Sequence, residues 1–136
     1  METVRTKYLG DLRTEATHVR SGNVLTTDAP VDNQGRGEYF SPTDLVATAL
    51  GSCILTIMGI AARQYNFSIE GVTCRITKIM TENPRRIGEI AIEYDFTMRP
   101  YTYKQKKILE YCVRSCPVAQ TLHPSVNQNV NLVFSD

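Results

Sequence analysis

The sequence predicts an α+β fold, a mainly antiparallel sheet with a long buried central helix and a second, cysteine-bearing helix. Three observations lead there. Val-, Thr- and Tyr-rich stretches open the chain and an alternating one closes it. Between Leu45 and Ala62 the apolar residues leave no polar stripe wider than a Thr or Ser, the pattern of a buried core helix. A strand hairpin and a further helix follow that stretch, so the order reads strands, helix, hairpin, helix, strand.

Each element has its own local signal. Residues 4–28 are punctuated by Gly10-Asp11 and Ser21-Gly22-Asn23 and read as two or three short antiparallel strands. Asp28 to Ser41, DAPVDNQGRGEYFS, reads as loop. Ser41-Pro42-Thr43-Asp44 then opens a helix. Ser is the N-cap, Pro takes the first helical position, and the acid at the third meets the positive end of the dipole. The helix is expected to reach about Gln64, with Asn66 as its stop. No polar stripe wider than a Thr or Ser interrupts it, so protein is expected around most of its surface.

Val72, Cys74 and Ile76 alternate with polar residues before a turn at Glu82-Asn83-Pro84-Arg85. After it, Ile90, Ile92, Tyr94, Phe96 and Met98 alternate in the returning strand. Thr102 caps a second helix from Tyr103 to about Ser115, whose apolar face carries Ile108, Leu109, Cys112, Val113 and Cys116. Pro117 permits a break and a short helix through Leu122; Val130, Leu132 and Phe134 form a last strand.

The chain has 136 residues and is expected to be one domain, 1–136, able to remove roughly two-thirds of its unfolded surface from water. Fifteen basic and 14 acidic side chains leave a net charge of +1 without a like-charge cluster, which argues against a nucleic-acid partner. METVRTKYLGDLR lacks the apolar core of a signal peptide, and no apolar run reaches the roughly 18 residues of a membrane span. A soluble, cytoplasmic protein without membrane partners is therefore expected. In that compartment Cys53, Cys74, Cys112 and Cys116 begin as free thiols.

Cys74 shares a strand face with Val72 and Ile76 and reads as a small packing residue. Cys53, mid-helix among Leu50, Ile54 and Ile57, reads from the helix pattern as packing or as a reagent. It lies some 15 Å inside the helix at about 1.5 Å per residue, beyond the reach of the dipole, so a reactive Cys53 needs a cation from elsewhere in the fold. Arginine suits, because it cannot lose its charge. Cys112 and Cys116 lie four apart and with His123 and Cys53 could make a zinc site, but structural zinc cysteines come as paired C-x2-4-C loops and no second pair exists, so no metal is expected. Phosphate-loop, dinucleotide and nucleophile-elbow motifs are absent, and no cofactor is expected.

SPTDLVATALGSC, followed by SCPVAQTL, resembles the OsmC/Ohr family of thiol peroxidases. The resemblance covers nearly the whole chain. It implies an intertwined homodimer, with the long helices at its centre and two active sites between subunits. Cys53 matches the family's peroxidatic cysteine and Cys116 its resolving cysteine. The implied reaction is attack of the Cys53 thiolate on an organic hydroperoxide, leaving a sulfenic acid that Cys116 converts to a disulfide and an external dithiol reduces. In the family a glutamate ten positions before the cysteine pairs with an arginine from the N-terminal strands. Thr43 stands there in this chain, with Asp44 next to it as an alternative acid or simply a helix-start residue. Arg13 is the favoured arginine, then Arg36, then Arg20.

Three functions follow for testing. The first is a cysteine peroxidase in oxidative or osmotic stress defence. The second is a binding or stress-response module with weak or no peroxidase activity, motivated by Thr43. The third is a permanent Cys53–Cys116 bridge, stabilising by roughly 4 kcal/mol in chain-entropy terms.

Overall fold

The computed structural model describes residues 1–136, which divide into two compact units, Met1–Val46 and Ala47–Asp136.

The first unit is a meander of β1 (Val4–Gly10), β2 (Arg13–His18) and β3 (Val24–Asp28), antiparallel throughout. Asp11 and Leu12 link β1 to β2, with φ of 54° and 62°. Two successive positive φ angles make the tight connection whose twist suits a hairpin, and Asp tolerates that conformation. The register then sets Arg13 opposite Asp28. A loop with one 3-10 turn, Val31–Asn33, leads to the main helix.

The helix α1 (Pro42–Gln64) starts and stops as its sequence predicts. Ser41 Oγ accepts the Asp44 N–H at 3.0 Å and the Asp44 carboxylate accepts the Ser41 N–H at 2.9 Å, a reciprocal cap. At the other end Asn66 turns left-handed with φ 59°, and the Phe67 N–H reaches back to the Ala62 carbonyl at 2.9 Å. That pattern closes the helix by satisfying carbonyls that would otherwise lack donors.

In the second unit α1 buries one stripe, Ala47, Leu50, Gly51, Ile54, Met58 and Ala62, at helical spacing. The sheet is β4 (Thr73–Thr81), β5 (Arg86–Phe96) and β6 (Asn127–Phe134), in that order. Gly51 lets helix and sheet approach closely, since a Cβ there would sit 2.5 Å from Ile76 Cδ1. β4 and β5 are antiparallel, whereas β6 runs parallel to β5. Parallel pairing needs a crossover, supplied by α2 (Tyr103–Cys112) and α3 (Pro117–Thr121). Ile90, Ile92, Tyr94 and Phe96 of β5 are buried, and Phe96 stacks on Phe134 of β6 with ring centroids 5.2 Å apart.

Five expectations need correction. Met98 does not continue the inward alternation of β5: the strand ends at Phe96 and Met98 is exposed in the following turn. The second helix ends at Cys112, not near Ser115, because its last turn tightens, with the Ser115 N–H bonding the Cys112 carbonyl at 3.2 Å. Cys116 is therefore not on that helix face. It is extended, at φ −76° and ψ 143°, as a residue before proline prefers, and it caps α3.

The last two corrections concern α1. Protein does not surround it on most sides: Ala49, Ser52, Thr56 and Ile60 are exposed, because one chain covers one stripe. By length and composition α1 also qualifies as a membrane-crossing helix, contrary to the expectation that no run is long enough. The core helix of a soluble protein meets the same criterion.

Candidate active site

Cys53, on α1, and Cys116, at the start of α3, are brought together. Each thiol lies close enough to the other for Cys53 to bear on the ionisation of Cys116, and neither cysteine is in a disulfide. Pro117 holds Cys116 in the extended conformation of an N-cap, from which its Sγ accepts the Ala119 N–H at 3.2 Å. Cys53 is partly exposed, whereas Cys116 is fully buried. One thiol of the pair is partly open to solvent, and the other is shut away from it.

Burial, above all, pushes the Cys116 thiol above the ordinary cysteine range. The Ala119 N–H pulls the other way, and the neighbouring Cys53 adds to the rise. Cys116 is therefore held as the protonated thiol at neutral pH.

Tyr94 completes the surroundings. Its side chain is fully buried, and its hydroxyl donates to the Gly51 carbonyl, two residues before Cys53, at 2.8 Å. Burial first, and then Cys74, Cys116 and Cys53, push its ionisation far above the ordinary phenol range. It is a fixed neutral donor. Cys74 pairs across the strands with Tyr94 and is half-buried, and burial raises its thiol as well.

Cys112 is apart from this group. Its Sγ donates to the Ile108 carbonyl at 3.2 Å and lines a groove of about 480 Å³ with Ile57, Ile60, Tyr65, Ile108 and Tyr111. No three His, Cys, Asp or Glu side chains converge as ligands for a metal.

Arg13 lies in the first unit, held by two acids. Its Nε and Nη2 bond the two Asp28 carboxylate oxygens at 2.7 and 2.9 Å, and Nη2 also meets Glu38 Oε1 at 2.6 Å. The Tyr39 ring packs against the guanidinium, 4.8 Å from its centroid. These bonds hold Asp28 below the ordinary carboxylate range, with Arg13 the largest cause, and raise Arg13 further. Arg36 pairs with Asp11 at 3.1 Å, and Arg20 is exposed. Asp44 closes the helix cap, and Thr43 Oγ1 lies 3.2 Å from Ser41 Oγ.

Sequence reading looked for Arg13's acid at Thr43 or Asp44 and missed Asp28 and Glu38. The Ser21-Gly22-Asn23 signal marks only the second half of the turn between β2 and β3, whose centre lies between Arg20 and Ser21, and the register about that centre is what sets Arg13 opposite Asp28. Tyr94 was placed as a core residue. Only its contact with a helix carbonyl shows its place beside the thiols.

The OsmC-like protein family matches residues 35–131. A solved structure from Psychrobacter arcticus 273-4, described as an osmotic stress induced and detoxification response protein, is 48% identical. It has a TM-score of 0.94, over 98% of this chain and 96% of that one. An OsmC-like protein from Mycoplasma pneumoniae is 18% identical with a TM-score of 0.80, over 98% and 96%. An organic hydroperoxide resistance protein from Legionella pneumophila is 16% identical with a TM-score of 0.72, over 97% of each chain. No curated protein matches the chain.

Proposed function

The chain belongs to the OsmC-like family, and we propose that within it this protein is a cysteine peroxidase that reduces organic hydroperoxides in a stress response. The observation that carries this reading is the pairing of a partly exposed Cys53 with a buried Cys116. A stress role accords with the description of the Psychrobacter protein, and a hydroperoxide with that of the Legionella one.

In the proposed reaction the Cys53 thiolate attacks the distal oxygen of R–OOH. The O–O bond breaks, the alkoxide takes a proton and leaves as alcohol, and sulfur keeps one oxygen as a sulfenic acid. Cys116 then loses its proton and attacks that sulfur; a disulfide forms and water leaves. An external dithiol reduces the disulfide by exchange, returning both thiols. Thiol chemistry alone balances the cycle. Arg13 is the proposed cation favouring the Cys53 thiolate, and Asp44 holds the start of the helix that carries Cys53. A homodimer is proposed to cover the exposed apolar residues of α1, of which Ile60 is 54% exposed.

The test is steady-state consumption of cumene hydroperoxide with a dithiol. Cys53→Ser should abolish turnover, and Cys116→Ser should leave a sulfenic acid that dimedone traps. A Cys53→Ser protein as fast as the parent would exclude the reading.

One observation favours a second reading, a binding module with weak chemistry: Arg13, the proposed activator, is already neutralised by carboxylates. An apolar ligand retained through purification, together with a peroxide rate no higher than that of free thiol, would support it.

A further inference from the structure

The two acids on Arg13 differ in almost every respect except charge. Asp28 has a side chain only 1% exposed and takes the guanidinium in a two-point fork through Nε and Nη2. Its carboxylate also accepts the backbone N–H of Glu38 at 3.1 Å and that of Tyr39, while its own N–H bonds the Phe40 carbonyl at 3.1 Å. Asp28 thus ties β2, β3 and the end of the loop into one piece. Its carboxylate cannot leave without unmaking that piece.

Glu38 has a side chain 60% exposed and touches Arg13 only at Nη2. Water can replace that contact, because exposed ion pairs hold weakly. With Glu38 seated, one positive and two negative charges make the cluster net negative, so it opposes any anion that approaches the guanidinium. With Glu38 turned to solvent the pair is neutral. Nη1, which makes no hydrogen bond to the protein, and one N–H of Nη2 are then free to donate.

We propose that Asp28 is the fixed positioning residue of Arg13, and that Glu38 is a displaceable brake that competes with the reacting anion for the same guanidinium. This rests on the reading of Arg13 as the cation that serves the thiol. Removing the two negative charges should therefore have opposite effects.

The experiment compares Glu38→Gln and Asp28→Asn with the parent in two measurements. These are alkylation of Cys53 by iodoacetamide in the reduced protein, and kcat and KM for cumene hydroperoxide. Glu38→Gln, nearly isosteric, should speed alkylation and raise kcat/KM by about threefold, the scale of a weak exposed pair. Asp28→Asn should slow alkylation and lower kcat by about tenfold, the scale of a buried charged hydrogen bond, with Asp28→Glu restoring part of it. Glu38→Gln that is unchanged or slower overturns the brake; Asp28→Asn that folds and keeps the parent's rates overturns the positioning role. Should Asp28→Asn lose its far-UV circular dichroism, Glu38→Gln still decides, since Glu38 is exposed. A parent without peroxidase turnover would sink the peroxidase reading, while the alkylation rates would still judge Asp28 and Glu38.

Discussion

In the proposed reaction, the surroundings of Cys116 would set the timing of its step. Burial keeps it protonated, and the Ala119 N–H is in place for the thiolate it must become. Once Cys53 is a sulfenic acid, the thiolate repulsion between the pair disappears and one cause of the raised ionisation goes with it. Disulfide formation after a peroxide pulse should still accelerate as pH rises past the ordinary cysteine range, because burial holds the Cys116 thiol above it and deprotonation favours attack. Rapid quench with mass detection measures this; a rate that falls with pH would contradict it. Tyr94→Phe removes the bond to the Gly51 carbonyl, which keeps its helical donor. The cost should be about 1 kcal/mol in a denaturant titration, and a loss of several kcal/mol would mean that the hydroxyl does more.

Asp28 gives the pH dependence of the first unit. It binds its proton less tightly folded than unfolded, so its contribution is complete above the ordinary aspartate range and is lost as pH falls below it. Acid unfolding of Asp28→Asn should therefore be less steep than that of the parent, as followed by circular dichroism.

At the scale of elements, the helix α1 and the sheet meet closely at Gly51, where a Cβ would lie 2.5 Å from Ile76 Cδ1. Placing alanine there gains up to about 1 kcal/mol of helix propensity, while overpacking against Ile76 costs about 1–3 kcal/mol. Gly51→Ala should therefore destabilise, and adding Ile76→Val, which removes the clashing Cδ1, should recover much of the loss. A double-mutant cycle with no coupling would refute the contact.

Elements also show what the chain makes legible. Both ends of α1 were readable, because Ser-Pro-Thr-Asp and Asn66 are local signals acting on neighbouring backbone. The end of α2 was not, since apolar spacing continues past Cys112 while the backbone turns away to suit Pro117. For the same reason Cys116 was expected on a helix face and sits instead at a cap. The parallel direction of β6 depends on the crossover path, which alternation in Val130, Leu132 and Phe134 cannot encode. Within the site, resemblance identified Cys53 and Cys116, whereas Asp28 depended on cross-strand register and Tyr94 on a bond spanning 43 positions.

At the scale of the whole molecule, one chain leaves Ile60 and Ala49 of α1 exposed, with Ser52 and Thr56 between them. A large apolar side chain held out in solvent is a candidate interface residue. The proposed homodimer predicts that Ile60→Asp shifts sedimentation toward the monomer at micromolar concentration; a parent that is monomeric there contradicts it.

The central claim is that Cys53 and Cys116 act as a redox pair. The most direct measurement treats the reduced protein with one equivalent of cumene hydroperoxide and maps its thiols by mass spectrometry after digestion. The account predicts two thiols lost per chain and one linkage, Cys53 to Cys116, with Cys74 and Cys112 still free. Full retention of thiols, or a linkage that omits Cys53, would contradict it.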